Sequence, residues 1–180
     1  MTVSPDLDRR FRDAAAAEGL LDLGFDVVDS PIGPLTLAAT PVGVVKIAIG
    51  DDEAALDELA ADVSPRVVRL PARLDATRRQ LDEYFAGRRH DFDLPLDRRL
   101  SRGYRRQVLE ALSARVGYGE VATYKDLAVA TDNAGAVRAV GTAMATNPIP
   151  IVVPCHRVVR SGGALGNYGG GPEVKAFLLR

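Results

Sequence analysis

The sequence predicts an α+β protein: a small antiparallel sheet with accompanying helices, followed by a mainly helical part. Three observations carry this. Three short strand-like runs punctuated by Gly/Pro turns lie between residues 25 and 49. Helical periodicity dominates from Tyr104 onward. Between the two parts, residues 91–103 are polar, charged and contain Pro95, and read as a linker. The 180 residues suit one domain or two small ones, and that length buries a core without disulfide or metal.

Residues 5–19 read as a short helix, with Ser4 as N-cap and Pro5 at N1. Strands follow at Phe25–Val28, Leu35–Ala39 and Val44–Ile49, separated by turns at residues 30–34 and 41–43. They predict two hairpin-connected strands or a three-stranded antiparallel sheet. Asp51 and Asp52 open a helix to about Asp62, with Leu56, Leu59 and Ala60 on one face, and Ser64-Pro65 breaks it. Another helix runs from about Leu74 to Phe85 and stops at Gly87.

Past the linker, Tyr104, Val108, Leu109 and Leu112 share the apolar face of a helix ending near Gly117. Thr123 caps a short helix, Tyr124–Ala130, and a polar turn leads to a second, Gly135–Thr146, stopped by Asn147-Pro148. Two such helices form a helix-turn-helix candidate. On the second, Val137, Val140, Gly141 and Met144 are expected to pack inward. Ala136, Ala139, Thr142, Ala143 and Thr146 occupy the other side, flanked by Arg138. Two readings fit so small-residue a face: a helix packed on both sides, or one that enters the narrow minor groove of DNA.

Charge is unevenly spread. Residues 1–100 carry 13 Lys/Arg against 19 Asp/Glu, a net of −6, and residues 101–180 carry 10 against 5, a net of +5. A basic second half suits nucleic acid, although a solvated surface accounts for it equally. No apolar run approaches a membrane span, and the run Ala14–Ala17 reads as helix rather than export signal, so a cytoplasmic location is expected. One cysteine and two histidines, His90 and His156, exclude an internal disulfide and the standard zinc patterns, so no metal is expected.

The chemistry-bearing segment is Ile149-Pro150-Ile151-Val152-Val153-Pro154-Cys155-His156-Arg157-Val158-Val159. An apolar setting raises a thiol's pKa and makes it inert, whereas an adjacent imidazole activates it by accepting its proton. The Gly-rich run 162–171 lacks the Gly-Lys-Ser/Thr ending of a phosphate loop; it reads as a loop beside the cysteine, where Tyr168 offers a wall for a planar ligand.

Residues 147–159 resemble the active-site signature of the O6-alkylguanine-DNA alkyltransferases (methylated-DNA–protein-cysteine methyltransferases). The resemblance extends through 119–124, 138–144 and 166–168, and into the first half at 30–35 and 81–87. It implies a ribonuclease-H-like α/β domain, residues 1–95, then a winged-helix-type DNA-binding and catalytic domain, residues 96–180. The activity it implies is direct-reversal repair: a nucleotide is rotated out of the duplex, and its O6-alkyl group moves once to Cys155, without a cofactor. The partner would be double-stranded DNA bearing O6-alkylguanine, approached from the minor groove, and the protein a monomer.

Residue by residue, the resemblance makes Cys155 the nucleophile, His156 the base acting through a water, Tyr124 the donor to guanine N3, and Asn147 the tie between turns. Arg138 would fill the gap left by the extruded nucleotide, with Ala139, Thr142 and Ala143 on the groove-facing side. Met144, Pro150 and Tyr168 would wall the pocket. The Gly169 N–H would donate to O6, where many relatives have serine, and the Cys155 and Val158 carbonyls would accept from the guanine amino group.

One departure stands out. The family orients its histidine with a glutamate a few residues past the matching end of this sequence, which stops at Arg180. Either the sequence is cut short or His156 is less well oriented, and slow transfer is expected, recovered by a C-terminal extension. Two competing readings are a non-catalytic, alkyltransferase-like lesion-binding protein and a thiol hydrolase. Cys155 argues against the first. Adjacent cysteine and histidine argue against the second, because cysteine hydrolases draw their histidine from elsewhere in the chain.

Overall fold

The computed structural model describes residues 4, 6, 7, 10, 14, 15, 18–50 and 53–180. The expected helix over 5–19 and the Asp51-Asp52 helix start lie largely outside them. The Leu7 N–H donates to Ser4 Oγ at 3.4 Å, the contact expected of an N-cap.

Strands β1 (Leu23–Val28), β2 (Leu35–Ala39) and β3 (Val44–Ile49) form the antiparallel meander that the turn residues predict. The sheet has a fourth strand, β4 (Val67–Arg69), parallel to β1, giving the order β3-β2-β1-β4. This corrects the expected three strands. β4 has only three residues and follows Ser64-Pro65, so its sequence carries almost no period-2 signal.

Every residue of β2 is buried, which requires cover on both faces. Ala38 turns to one side and joins Leu23, Val45 and Leu59 of helix α1 (Glu53–Asp62). Leu35, Leu37 and Ala39 turn to the other. There they meet Leu81 and Tyr84 of α2 (Asp75–Phe85), and the core continues without a break into the second half of the chain.

The expected linker is not free. The Val44 N–H donates to the Pro95 carbonyl at 2.9 Å, and the Asp97 N–H donates to the Val44 carbonyl at 2.8 Å. The buried Asp97 carboxylate accepts from Thr40 Oγ1 at 2.6 Å and from Arg99 Nε at 2.8 Å, and these bonds hold its pKa below the usual carboxylate range despite burial. Polar composition misreads this segment because its polar groups are satisfied by the sheet edge rather than by water.

In the second half, α3 (Gly103–Arg115), α4 (Tyr124–Ala130) and α5 (Val137–Ala145) pack on one another. Thr123 caps α4 as expected, and Asp126 completes a capping box. Two short parallel strands, β5 (Ala122–Thr123) and β6 (Val158–Val159), anchor the cysteine segment beside α4. The final helix is α6 (Gly171–Leu178).

The buried stripe of α5 differs from the expected one. Val140, Ala143 and Met144 point inward, with Ala143 0% exposed, while Val137 is 38% exposed. Ala143 therefore belongs to the core and not to the outward face. At 100° per residue it points about 60° to the side of Val140 away from Met144, which widens the inward stripe, and its small size hid that position. Ala139 and Thr142 are exposed as expected.

Gly43 fixes how closely the linker lies. Its φ is +153°, and a Cβ there would stand 2.1 Å from the Pro95 carbonyl oxygen. Gly43→Ala should lower stability by about 1–3 kcal/mol, read as a lower urea midpoint; an unchanged midpoint would show that the linker docks loosely.

Candidate active site

The cysteine segment is shaped by one side chain. Asn147 Oδ1 accepts from the Ile149 N–H at 3.1 Å, and its Nδ2 donates to the Val153 carbonyl at 2.9 Å and to Cys155 Sγ at 3.1 Å. The chain between them doubles back tightly enough to place Ile151 at φ +74°, a conformation costly for a β-branched residue. The Ile47 N–H donates to the Pro148 carbonyl at 2.8 Å and ties this turn to β3. Cys155, His156 and Arg157 then form one 3-10 turn that ends in β6.

Cys155 is 5% exposed, and its remaining opening faces a cleft of about 630 Å³. The cleft is lined by Tyr124 from α4, by Arg138, Thr142 and Met144 from α5, and by Tyr168 and Gly169 from the loop before α6. Seven of the expected site residues thus meet around one hollow, counting Cys155. Asn147 reaches the sulfur from behind. Pro150 is half-buried and Val158 buried, both outside this lining, as is the exposed Ala139.

His156 does not sit at the opening. It is 0% exposed, its Nε2 lies 3.5 Å from Tyr84 Oη of α2, and its Nδ1 has no hydrogen-bond partner among the described residues. Burial, assisted by the charges of Arg157 and Lys175, pushes its pKa down to about 3. Burial pushes the Cys155 thiol up, opposed by the Asn147 hydrogen bond and the charge of Lys175. Tyr124 and Tyr168 are both raised, chiefly by burial, and the Tyr168 hydroxyl is buried without a partner among the described residues.

Two cations escaped the sequence reading. Lys175 of α6 is 0% exposed; its Nζ donates to the Val158 carbonyl at 2.6 Å and to the Leu165 carbonyl, with no carboxylate partner among the described residues. Its signal was a lysine between Val174 and Ala176 on a helix otherwise apolar after Glu173. Arg160, just past β6, lines the cleft; no local pattern marks it. Among the described residues, no group of His, Cys, Asp and Glu could hold a metal ion, and no helix is long and apolar enough to cross a membrane.

Comparison with known proteins places this arrangement. Residues 24–98 match the ribonuclease-like domain of 6-O-methylguanine DNA methyltransferase, and residues 103–180 match its DNA binding domain. The chain belongs to the 6-O-methylguanine DNA methyltransferase family. The methylated-DNA–protein-cysteine methyltransferase of Methanosarcina barkeri (strain Fusaro / DSM 804) is 37% identical over 87% of this chain and 94% of its own length. That of Homo sapiens is 39% identical over 84% and 76%. Among solved structures of the family, Mycobacterium tuberculosis OGT in complex with DNA superposes with a TM-score of 0.75 at 36% identity. It covers 87% of this chain and 90% of that one. The O6-methylguanine-DNA methyltransferase of Pyrococcus kodakaraensis strain KOD1 gives 0.60 at 29% identity, over 87% and 96%. The α+β architecture read from the sequence is thus the fold of the methyltransferase family.

The buried imidazole makes this family member's stability depend on pH. In the unfolded chain His156 takes up a proton near pH 6.5, whereas in the folded protein it does so only near 3. The stabilisation is complete above about pH 6.5 and declines as pH falls toward 3, by at most about 1.4 kcal/mol per pH unit. Urea unfolding between pH 7 and about 5, before the carboxyls of the unfolded chain begin to take up protons, should show this slope. His156→Gln should flatten it; an unchanged slope would assign the pH dependence elsewhere.

Proposed function

We propose that this protein repairs DNA directly, moving an alkyl group from O6 of guanine onto Cys155 once per molecule. One observation carries the proposal: the chain's only cysteine lies at the base of a cleft spacious enough for a purine and bordered by two tyrosines. Its relatives' name, methylated-DNA–protein-cysteine methyltransferase, states the same chemistry.

O6 is stacked inside a duplex and a buried thiol cannot reach it, so the nucleotide must rotate out into the cleft. Helix α5 is suited to promote this. Its exposed Ala139 and Thr142 are small enough for the minor groove, and the Arg138 side chain donates to no group among the described residues and is free to occupy the vacated stack. The +5 charge of residues 101–180 favours the phosphate backbone.

In the cleft, the Gly169 N–H serves O6, Tyr124 serves N3, and the carbonyls of Cys155 and Val158 accept from the guanine amino group. The Val158 carbonyl already accepts from Lys175, which leaves one lone pair for the base. Met144 and Tyr168 wall the purine, with Pro150 behind them.

The thiol proton passes to His156 through a water. The thiolate attacks the alkyl carbon: the S–C bond forms, the C–O6 bond breaks, and the electron pair stays with the purine. Return of one proton to the base yields neutral guanine. The thioether has no leaving route, so each molecule acts once. The lesion supplies the alkyl group and no cofactor takes part. A cytoplasmic monomer, with its ribonuclease-H-like domain in residues 1–95 and its catalytic domain in 96–180, completes the proposal.

Incubation with duplex DNA containing O6-methylguanine should add one CH2 unit to the protein, located at Cys155 by peptide mass spectrometry, and leave Cys155→Ser unmodified. An unmodified mass after prolonged incubation, with binding retained, would instead favour a lesion-binding protein. Continuous turnover of an ester would favour a thiol hydrolase.

The unpartnered Nδ1 of His156 suits an added carboxylate, which would stabilise the imidazolium and ease loss of the thiol proton. A C-terminal extension carrying a glutamate that reaches this nitrogen should raise the single-turnover rate. Equal rates with and without it would refute the orienting role.

A further inference from the structure

The cleft holds one charged group that the transfer scheme above leaves unused. Arg160 leaves β6 at the start of a tight turn. Its N–H donates to the Ala164 carbonyl at 2.8 Å, and its carbonyl accepts from the Gly163 N–H at 2.9 Å, so its backbone is fixed at the cleft wall. Its side chain runs back across Gly166. A Cβ on Gly166 would stand 3.1 Å from Tyr124 Oη, 3.6 Å from Arg160 Cγ and 3.7 Å from Arg160 Nε. The phenol oxygen and the guanidinium Nε therefore lie no more than 6.8 Å apart, the sum of the two distances. Gly166 has φ +71°, and a Cβ there would press on the phenol oxygen while only touching the arginine side chain.

The charge balance of the site gives this placement meaning. No carboxylate lines the cleft, and the Arg160 guanidinium makes no hydrogen bond or ion pair among the described residues. Its field acts on Tyr124, whose pKa it pulls down against the rise caused by burial. Lys175 lies toward the sulfur, where its charge favours the thiolate. During the displacement, negative charge leaves sulfur and spreads over the purine, so the cation needed late in the reaction belongs on the base side of the cleft.

We infer that Arg160 is a positioning residue for the transfer step, its guanidinium polarising the Tyr124 phenol toward the extruded purine and, through that phenol, stabilising the charge the base acquires as O6 is released. This rests on the alkyl-transfer function proposed above. Arg160 acts through a hydrogen-bond donor that is already in place, so its contribution falls on the rate of the bound complex rather than on binding.

The test compares wild type, Arg160→Gln and Arg160→Lys on duplex DNA containing O6-methylguanine. Saturating single-turnover rates are measured for each, and Kd for the same duplex is measured in a Cys155→Ser background at two salt concentrations. Arg160→Gln should lower the saturating rate about tenfold, change Kd less than twofold, and leave the thermal midpoint unchanged. Arg160→Lys should recover most of the rate. In a Tyr124→Phe background the Arg160→Gln loss should largely disappear, because the two groups act in series.

An unchanged saturating rate overturns the inference. So does a loss confined to Kd with a shallower salt dependence, which would make Arg160 a phosphate contact. So does a loss of full size in the Tyr124→Phe background. Absence of methyl transfer by wild type would instead overturn the repair function on which the inference stands.

Discussion

The reactive part of this protein hangs on the carboxamide of Asn147. With one acceptor and one donor group it closes the turn at Ile149, holds the Val153 carbonyl, and supplies the hydrogen-bond donor seen at Cys155 Sγ. Aspartate offers no N–H, and leucine offers neither group, so no isosteric replacement keeps all three contacts. The left-handed Ile151 is sustained by this arrangement: a conformation costing about 1–3 kcal/mol persists only where surrounding bonds over-determine it. Everything downstream, from the 3-10 turn of Cys155–Arg157 to the pairing of β6 with β5, takes its position from that turn.

Electrostatics in the cleft are arranged against the resting protein. Burial disfavours both the thiolate and the imidazolium, so neither charge exists at rest around neutral pH. The cations of the cleft are held in place beforehand: Lys175, locked to two backbone carbonyls, favours the thiolate while further disfavouring the imidazolium, and Arg160, set on a turn, favours ionisation of Tyr124. Such a site keeps its sulfur unreactive until a base fills the cleft and displaces water, when the same cations act through a lower dielectric and count for more.

Much of this was legible in the sequence. The meander of β1–β3 followed from alternation and Gly/Pro punctuation, the α4 cap from Thr123, and the α5 stop from Asn147-Pro148. Cys155, Tyr124, Arg138 and Asn147 were recognisable from the motif around them, and the fold brings them together. What could not be read depends on contacts distant in sequence. β4 exists because β1 offers it an edge. Residues 94–97 are ordered because Gly43 leaves room for Pro95. Ala143 is inward because α3 and α4 approach α5 from a direction that an alanine cannot announce. Lys175 was overlooked because its one local cue, a lysine on an otherwise apolar stretch, does not reveal the distant carbonyls that satisfy it.

The continuous core described for the two halves bears on acid–base behaviour at the cysteine. Tyr84, on α2 of the ribonuclease-like half, stands against the imbedded edge of His156, and the aromatic rings of Phe85 and Phe92 back it. These residues bury the imidazole and contribute no reacting atom. The first half of the chain thus works as an insulator: it adds to the burial that lowers the proton affinity of a histidine more than seventy positions away in sequence, and a catalytic half grafted elsewhere without this wall would carry the same motif with a more basic imidazole.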